Sequence, residues 1–161
     1  MSKKHPIISV IGSSGAGTST VKHTFDQIFR RENVNAISIE GDAFHKFDRE
    51  NMKKELEKRT GAGDSTFSHF SFDANILEDL EKVFKNYSET GTGKTRNYVH
   101  SDEEAEQFGV APGKFTSWRD IEPGSDLLFY EGLHGAVVNS TVNLAQYADL
   151  KIGVVPVTNL E

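Results

Sequence analysis

Short apolar runs alternate with amphipathic stretches along most of this chain. The runs at residues 6–11, 34–40, 126–130 and 150–157 are rich in β-branched and aromatic side chains, which is typical of buried strands. After the first run, residues 19–31 place apolar side chains on one face of a predicted helix. Because strands that alternate with helices pair in parallel, the pattern predicts an α/β fold, a mostly parallel sheet with flanking helices.

Two more helices are predicted before the middle of the chain. The first, at about residues 49–59, is highly charged and stops before the Gly61-Ala62-Gly63 break. Asp73 is the predicted N-cap of the second, which is strongly amphipathic. The apolar face of that second helix carries Ile76, Leu77, Leu80, Val83, Phe84 and Tyr87.

The middle of the chain, residues 88–124, does not continue this alternation. Its glycines, its prolines and two β-prone pieces at 95–99 and 115–121 predict a hairpin-like excursion from the sheet. Within it, Ser101 and Glu104 have the spacing of a capping box, which predicts a short acidic helix.

A chain of 161 residues fits one domain, and we expect residues 1–161 to form it. A doubly wound sheet needs helices on both faces, yet the chain ends directly after the strand at 150–157. We therefore expect an incomplete domain, as though a larger protein had been truncated at its C-terminus.

Composition and charge exclude several classes of function. The chain has no cysteine, which excludes disulfides, thiolate metal sites and a cysteine nucleophile. Its net charge of −6 disfavours a nucleic-acid partner, because binding a phosphate backbone needs a basic surface. No apolar stretch is long enough for a membrane span or a secretory signal, so we expect no membrane partner and a cytoplasmic location.

The candidate chemistry starts at a glycine-rich segment between the first strand and the first helix. It reads Gly12-Ser13-Ser14-Gly15-Ala16-Gly17-Thr18-Ser19 and keeps the spacing of a phosphate-binding P-loop. Glycines allow the backbone to turn its N–H groups toward an anion, and the helix N-terminus adds its positive dipole end. Thr18 stands where the usual motif has lysine, Ser19 is the expected magnesium-contacting hydroxyl, and Thr20 is a second candidate. The alternative is a glycine-rich turn without a ligand.

Two carboxylates follow predicted strands. Asp42 comes just after the strand at 34–40, and Glu131 closes the strand at 126–130. Ligands of open α/β sheets lie beyond the carboxyl ends of the strands, so both residues should converge with the loop. Asp42 is then a candidate base for an attacking hydroxyl, and Glu131 a candidate acid for magnesium or its water shell. The alternatives are a turn aspartate and a carboxylate that merely ends a strand.

Four further residues are candidates for holding an anionic, polyhydroxylated acceptor. His45 and Arg49 follow Asp42 closely, and an arginine can bind phosphate oxygens in a bidentate way. Tyr98 and His100 end a β-prone piece of the excursion and could reach over a sugar. Solvent-exposed surface positions are the alternative for these residues.

A neighbouring group of ring side chains is assigned to the core instead of the site. It consists of Phe67, His69, Phe70 and Phe72. His134, which follows Glu131 closely, is given a structural role.

Four segments together resemble the bacterial class (class I) of the phosphoribulokinase family. They are the loop at 12–19, Ser38-Ile39-Glu40-Gly41-Asp42-Ala43-Phe44-His45, Phe67-Ser68-His69-Phe70 and Phe129-Tyr130-Glu131-Gly132-Leu133-His134-Gly135. The segments occur in the family's order and spacing, and threonine in place of the P-loop lysine is a feature of that bacterial class. The resemblance runs from Ile7 to Glu161 and covers the first half of the family's length.

The resemblance implies a P-loop kinase fold and transfer of the ATP γ-phosphoryl group to the C1 hydroxyl of D-ribulose 5-phosphate. The product, ribulose 1,5-bisphosphate, is the CO₂ acceptor of carbon fixation, and the cofactors are ATP and Mg²⁺. Asp42 would be the general base and Glu131 the magnesium-associated acid. The residues that would hold the sugar phosphate are His45, Arg49, Tyr98 and His100.

The same resemblance implies a homo-oligomer that NADH activates and AMP restrains. It also implies further basic residues beyond Glu161, which would compensate for the uncharged Thr18. We therefore expect the 161-residue chain on its own to keep some nucleotide binding but to turn over poorly.

Two other functions stay open on the sequence. A uridine or pantothenate kinase shares the loop, the metal acid and the base after the second strand. The pair His45 and Arg49 suits a sugar phosphate better than a nucleobase, for which aromatic stacking surfaces are expected. The other alternative is a non-catalytic fragment that only binds nucleotide.

Overall fold

The computed structural model describes residues 4–156. In chain order its elements are β1 (Ile7–Ile11), α1 (Thr18–Arg31), β2 (Ala36–Glu40), α2 (Arg49–Gly61), α3 (Leu77–Thr90), β3 (Gly93–Thr95), α4 (Asp102–Phe108), β4 (Arg119–Ile121), β5 (Leu127–Gly132) and β6 (Leu150–Gly153). Short 3₁₀ helices lie between them at Gly41–Phe44, Phe72–Ala74 and Leu144–Gln146. Across residues 4–156, every helix is too short or too polar to span a bilayer.

The central sheet is parallel, as the alternation of strands and helices predicts. Its four strands lie in the order β2–β5–β1–β6. β5 pairs with β1 on one side and with β2 on the other, where Glu131 is the register partner of Glu40. Because these strands run the same way, the carboxyl ends of β1, β2 and β5 meet at one edge of the sheet.

Helices on both faces explain why β5 is apolar from Leu127 to Tyr130. Tyr130 faces α3, where Phe84 packs edge-to-face on it with ring centroids 5.4 Å apart. Phe129 faces α1 and contacts Phe25 and Phe29, with ring centroids 5.1 and 5.6 Å away. A strand buried on both faces needs apolar side chains at successive positions.

The predicted excursion is confirmed as a hairpin-like arm. β3 pairs antiparallel with β4, and Tyr98 and Phe115 form a further antiparallel bridge. Along the chain, α4 lies between Tyr98 and Phe115. The Ser101 hydroxyl accepts a hydrogen bond from the N–H of Glu104 at the start of this helix. The Glu104 carboxylate accepts the N–H of His100 at 2.7 Å, which ties His100 to the start of α4.

The predicted cap of α3 is wrong. The helix begins at Leu77 after Ile76, whereas Asp73 lies in the preceding 3₁₀ helix and accepts a hydrogen bond from Arg59. The reason is a tertiary contact: the Ile76 N–H donates to the Phe44 carbonyl, which makes Ile76, three residues after Asp73, the N-cap of the helix.

The aromatic group assigned to the core is divided. Phe67 is buried, but Phe70 and Phe72 are 54% and 55% exposed. The Asn75 side chain holds the backbone of this loop by donating to two of its carbonyls, so the loop is ordered without burying those two rings.

The end of the strand predicted at 150–157 lies outside the described residues, as does the chain end. Within the described part, β6 stops at Gly153.

Candidate active site

The glycine-rich loop leads from β1 directly into α1. Gly15 and Gly17 have φ angles of 80° and 97°, in the left-handed region that other residues rarely adopt. Gly17 is the N-cap of α1, and the first turn has neither a side-chain cap nor an acidic residue. The N–H groups of Thr18 and Ser19, which precede the first bond from Thr20 N–H to the Gly17 carbonyl, lie at the positive end of the helix dipole and are open to an anion.

Thr18 contributes packing to this loop and no charge. It is buried at the start of α1. A Cβ at Gly12 would lie 2.6 Å from Thr18 Cγ2 and 3.0 Å from the Val154 carbonyl oxygen, so only glycine fits there. The cation that the usual motif places at this position must come from elsewhere.

A cleft of about 470 Å³ lies at the carboxyl ends of β1, β2 and β5. It brings together the loop and both predicted carboxylates, Asp42 and Glu131. The predicted site residues that line it are Gly12, Ser13, Ser14, Gly15, Thr18, Ser19, Asp42, His45, His100 and Glu131. The predicted site residues of the described chain that do not line it are Ala16, Gly17, Thr20, Arg49 and Tyr98.

Two glycines allow the ends of β2 and β5 to approach closely. A Cβ at Gly132 would lie 2.7 Å from the Tyr130 hydroxyl oxygen and 2.8 Å from the Gly41 Cα. This contact sets the spacing between Asp42, which follows Gly41, and Glu131, which precedes Gly132.

Replacing Gly132 with alanine should therefore destabilise the protein by about 1–3 kcal/mol, because the added methyl overpacks a contact with backbone. Denaturant unfolding measures this loss. Gly153→Ala is the matched control, since a Cβ at Gly153 meets nothing within 4 Å. Equal stabilities of the two variants would contradict the assigned role.

A hydrogen-bond network surrounds the Asp42 carboxylate. His45 Nε2 lies 3.1 Å from Asp42 Oδ1, and His100 Nε2 lies 3.5 Å from Oδ2. On the far side of its ring, His45 Nδ1 lies 2.9 Å from Asn75 Oδ1. The Asn75 amide nitrogen donates to the carbonyls of His69 and Ser71, so its oxygen must face His45. An acceptor on each ring nitrogen favours the imidazolium form of His45, in which both nitrogens donate.

The electrostatics of the pair agree with this geometry. The hydrogen bond from His45 lowers the pKa of Asp42 against the opposing effect of burial, so the carboxylate stays ionised. Burial alone would lower the pKa of His45, but the hydrogen bond and charge of Asp42, together with Asn75, raise it overall. The two residues therefore form a half-buried ion pair in the cleft.

Replacing Asp42 with asparagine should reverse the direction in which the pKa of His45 is shifted. Without the carboxylate, burial and the charge of Arg96 dominate, and the pKa of His45 should fall below the ordinary histidine value. An NMR titration of the imidazole protons measures it in both proteins. Asp120→Asn, on the exposed β4, is the control, and an unchanged His45 pKa in Asp42→Asn would refute the pairing.

Arg49 and Tyr98 lie behind the cleft. The Arg49 guanidinium donates to the His100 carbonyl at 3.3 Å. The Tyr98 ring lies 4.9 Å from the His100 ring and 6.2 Å from the His45 ring, measured between centroids. Both residues contact the histidines that line the cleft, and their assignment to the sugar phosphate stays a prediction.

Arg96 attaches the hairpin-like arm to the site. Its guanidinium donates to the carbonyls of Ala43 and His45 at 2.8 Å and stacks over the rings of Phe115 and Trp118. These contacts hold the arm against the segment that carries Asp42.

Several cleft residues were missed or misassigned on the sequence. They include Lys22, His23, Glu40, His69, Phe70, Asn75 and Glu104. Glu40 has a pKa raised by burial and by the charge of Glu131, and lowered in part by Lys22. The sequence contains a signal for two of these residues, because Glu40 ends β2 and Lys22 lies one turn after Thr18. The loop that carries His69, Phe70 and Asn75 has no such signal.

His134 combines a structural contact with a place on the cleft. It is buried, and its Nε2 lies 3.1 Å from the Phe70 carbonyl oxygen. Burial lowers its pKa, so it is a neutral ring that supports the loop.

The oxygen donors of the cleft fit a magnesium ion that keeps most of its water. Ser19 and Glu131 line the same cleft, one on α1 and one at the end of β5. Within residues 4–156 no group of three or more histidine, cysteine or acidic residues forms a cage for a metal. Mg²⁺ is commonly bound through one or two carboxylates together with phosphate oxygens and waters, which this donor set allows.

Comparisons with known proteins point to one family. The profile of the Phosphoribulokinase / Uridine kinase family matches residues 7–161. Over all 161 residues the chain is 73% identical to phosphoribulokinase 1 of Cereibacter sphaeroides and covers 56% of that relative. It is 62% identical to the phosphoribulokinase of Nitrobacter vulgaris, again over 56% of the relative. The chain thus spans about half the length of the curated relatives it matches.

Solved structures have the same fold. Phosphoribulokinase from Rhodobacter spheroides matches with a TM-score of 0.86 and 68% identity, over 97% of this chain and 53% of that one. A possible uridine kinase from Bacillus stearothermophilus matches with a TM-score of 0.61 and 13% identity, over 95% of this chain and 72% of that one. The second likeness shows the fold alone.

Proposed function

Because the chain belongs to the phosphoribulokinase / uridine kinase family, we propose that the protein transfers the γ-phosphoryl group of ATP to the C1 hydroxyl of D-ribulose 5-phosphate. The products are D-ribulose 1,5-bisphosphate and ADP. One observation carries the proposal: the Asp42–His45 ion pair lies in the same cleft as an uncapped helix N-terminus. A base for a hydroxyl, a cation for a sugar phosphate and an anion site for a polyphosphate are thereby combined.

Each group has a defined task in this reaction. The loop at 12–19 and the start of α1 hold the polyphosphate, and Asp42 orients the C1 hydroxyl and accepts its proton. As the bond from that oxygen to the γ-phosphorus forms, the bond from the γ-phosphorus to the β–γ bridging oxygen breaks and ADP leaves. His45 and His100 supply the donors on the acceptor side. Little covalent work by the protein is needed, since phosphoryl transfer depends mainly on positioning and charge neutralisation.

The cofactors follow from the family, which uses ATP together with a divalent cation. Ser19 and Glu131 would hold Mg²⁺ or its water shell. When bound, the ion neutralises charge on the phosphate oxygens.

Further properties are proposed on the resemblance alone. They are a homo-oligomeric state, activation by NADH and restraint by AMP. A cytoplasmic location is proposed from the sequence, which has no apolar stretch long enough for a membrane span or a secretory signal. The net charge of −6 supports the proposal that neither nucleic acid nor an anionic membrane surface is a partner.

One observation favours a nucleoside acceptor as the second candidate. Phe70 lines the cleft and is 54% exposed, so its ring is available for stacking on a base. The ion pair at Asp42 would serve a nucleoside hydroxyl as well as a sugar hydroxyl.

A side-by-side assay of the full-length protein tests both candidates. ADP release is measured with ATP, Mg²⁺ and ribulose 5-phosphate, uridine or pantothenate, against a control without acceptor. We expect turnover with ribulose 5-phosphate to exceed the others by orders of magnitude, and mass spectrometry to identify the bisphosphate. Faster turnover of uridine would replace the proposal with the second candidate, and ADP release independent of all acceptors would refute both.

A further inference from the structure

We infer that Lys22 supplies a phosphate-binding cation beside the glycine-rich loop, which has Thr18 where the usual motif has lysine, and that it acts in addition to the basic residues beyond Glu161 that the resemblance implies. In the free protein its ammonium group lies beside Glu40, and it would turn to the polyphosphate when a nucleotide enters. This inference rests on the proposed function, because it requires the cleft to take a nucleoside triphosphate.

The carboxylates of the cleft outnumber its cations even when His45 is protonated, which favours a role for Lys22 in binding an anion. Four carboxylates line the cleft, from Glu40, Asp42, Glu104 and Glu131. Among the lining residues in the described part of the chain, Lys22 is the only lysine or arginine. A polyphosphate that entered would meet like charges at close range, where the effective dielectric constant is low and the repulsion is strong.

Position makes Lys22 the residue that can replace the missing lysine. It lies four residues after Thr18 on α1, so both side chains are on the same helix face. That face points into the cleft at the uncapped start of the helix. The lysine side chain has a long flexible stem, so a shift of one turn in the attachment point still allows the ammonium to reach the loop.

The contacts of Lys22 with Glu40 and Asp26 are weak enough for a phosphate group to replace them. Its Nζ lies 3.9 Å from Glu40 Oε1 and 3.5 Å from Asp26 Oδ2, both longer than a well-formed charged hydrogen bond. The side chain is 22% exposed, so the ammonium is partly desolvated and a stronger anionic partner gains by replacing these two.

A simpler role would be to neutralise Glu40, which is partly buried and is the register partner of Glu131. The two roles predict different ATP affinities for a variant that lacks both Lys22 and Glu40. If Lys22 only compensates Glu40, then Glu40→Gln removes the need for it. If Lys22 binds phosphate, Glu40→Gln cannot restore what Lys22→Met removes.

The test measures ATP affinity by calorimetry in the full-length protein. Lys22→Met should weaken ATP binding by about 10- to 100-fold, the effect of one charged hydrogen bond. Lys22→Arg should recover most of that loss, and Lys22→Met/Glu40→Gln should stay as weak as Lys22→Met. Arg30→Met, near the other end of α1, removes one charge from the same helix and should leave ATP binding unchanged. The KM for ribulose 5-phosphate should change little in all of them.

A second measurement on the wild-type protein does not depend on the folding of a variant. ATP or inorganic triphosphate should slow acetylation of Lys22 several-fold, read by mass spectrometry, whereas adenosine should not. Lys85, exposed on α3, is the internal control.

The outcomes separate the inference from the proposed function. Unchanged ATP affinity in Lys22→Met, rescue by Glu40→Gln, or acetylation of Lys22 that triphosphate does not slow would each overturn the inference. A wild-type protein that binds no ATP would overturn the proposed function itself.

Discussion

Replacing Asp42 with asparagine or alanine should lower kcat by about 100- to 10,000-fold, the range for loss of a general acid–base group. ATP affinity should change only modestly, because Asp42 follows β2 and faces His45 and His100, while the loop at 12–19 holds the phosphates. A loss in kcat without a loss in ATP binding identifies an interaction made only in the transition state. Steady-state kinetics with ribulose 5-phosphate and calorimetry with ATP measure the two quantities.

The control for this variant must remove an aspartate without entering the cleft. Asp120→Asn does so, since Asp120 pairs with Lys94 on the exposed arm. Asp42→Asn also keeps the size of the side chain, so the ring of His45 retains a neighbour of the same shape. If Asp42→Asn kept wild-type kcat, the carboxylate would not be the base and the mechanism above would fail.

Replacing Glu131 with glutamine should raise the Mg²⁺ concentration needed for half-maximal activity by about 10- to 100-fold, the usual effect of losing a carboxylate around a metal site. At limiting Mg²⁺ the rate should fall by a similar factor and recover in part at high Mg²⁺. Glu131 is the register partner of Glu40, so a neutral amide also removes one of the two charges that lie side by side there. A magnesium titration of the rate distinguishes this effect from a general loss of activity.

Glu122→Gln is the matched control, because Glu122 lies near the arm, on a different surface groove from the cleft. It should leave the magnesium dependence unchanged. If Glu131→Gln lowered kcat equally at all Mg²⁺ concentrations, Glu131 would act on catalysis without serving the metal.

Local patterns were sufficient to predict that the glycine-rich loop, Asp42 and Glu131 lie in one cleft. The glycine spacing before α1 predicts an anion-binding loop because left-handed backbone and an open helix start are local properties. The apolar runs before Asp42 and Glu131 predict strands, and parallel pairing then brings the strand ends to one edge. The cleft that contains the loop and both carboxylates agrees with that reasoning.

Local patterns could not predict interactions between residues that are far apart in the sequence. The pKa of His45 is raised by Asp42, three positions earlier, and also by Asn75, thirty positions later, which faces its second ring nitrogen. Arg96 and Tyr98 belong to an arm whose position relative to Asp42 no spacing rule gives. Asp73 has the sequence of a cap, yet Ile76 is bonded to Phe44 and the helix starts later.

The sequence by itself determined the α/β alternation, the glycine-rich loop before an uncapped helix and the carboxylates at two strand ends. Each of these depends on backbone preferences or side-chain spacing within one segment. The tertiary structure alone decided the charge state of His45, the contacts of Lys22 with Glu40, and the approach of Gly41 to Gly132. These depend on atoms from segments far apart in the chain, whose distances, burial and electrostatic interactions exist only after the sheet has formed.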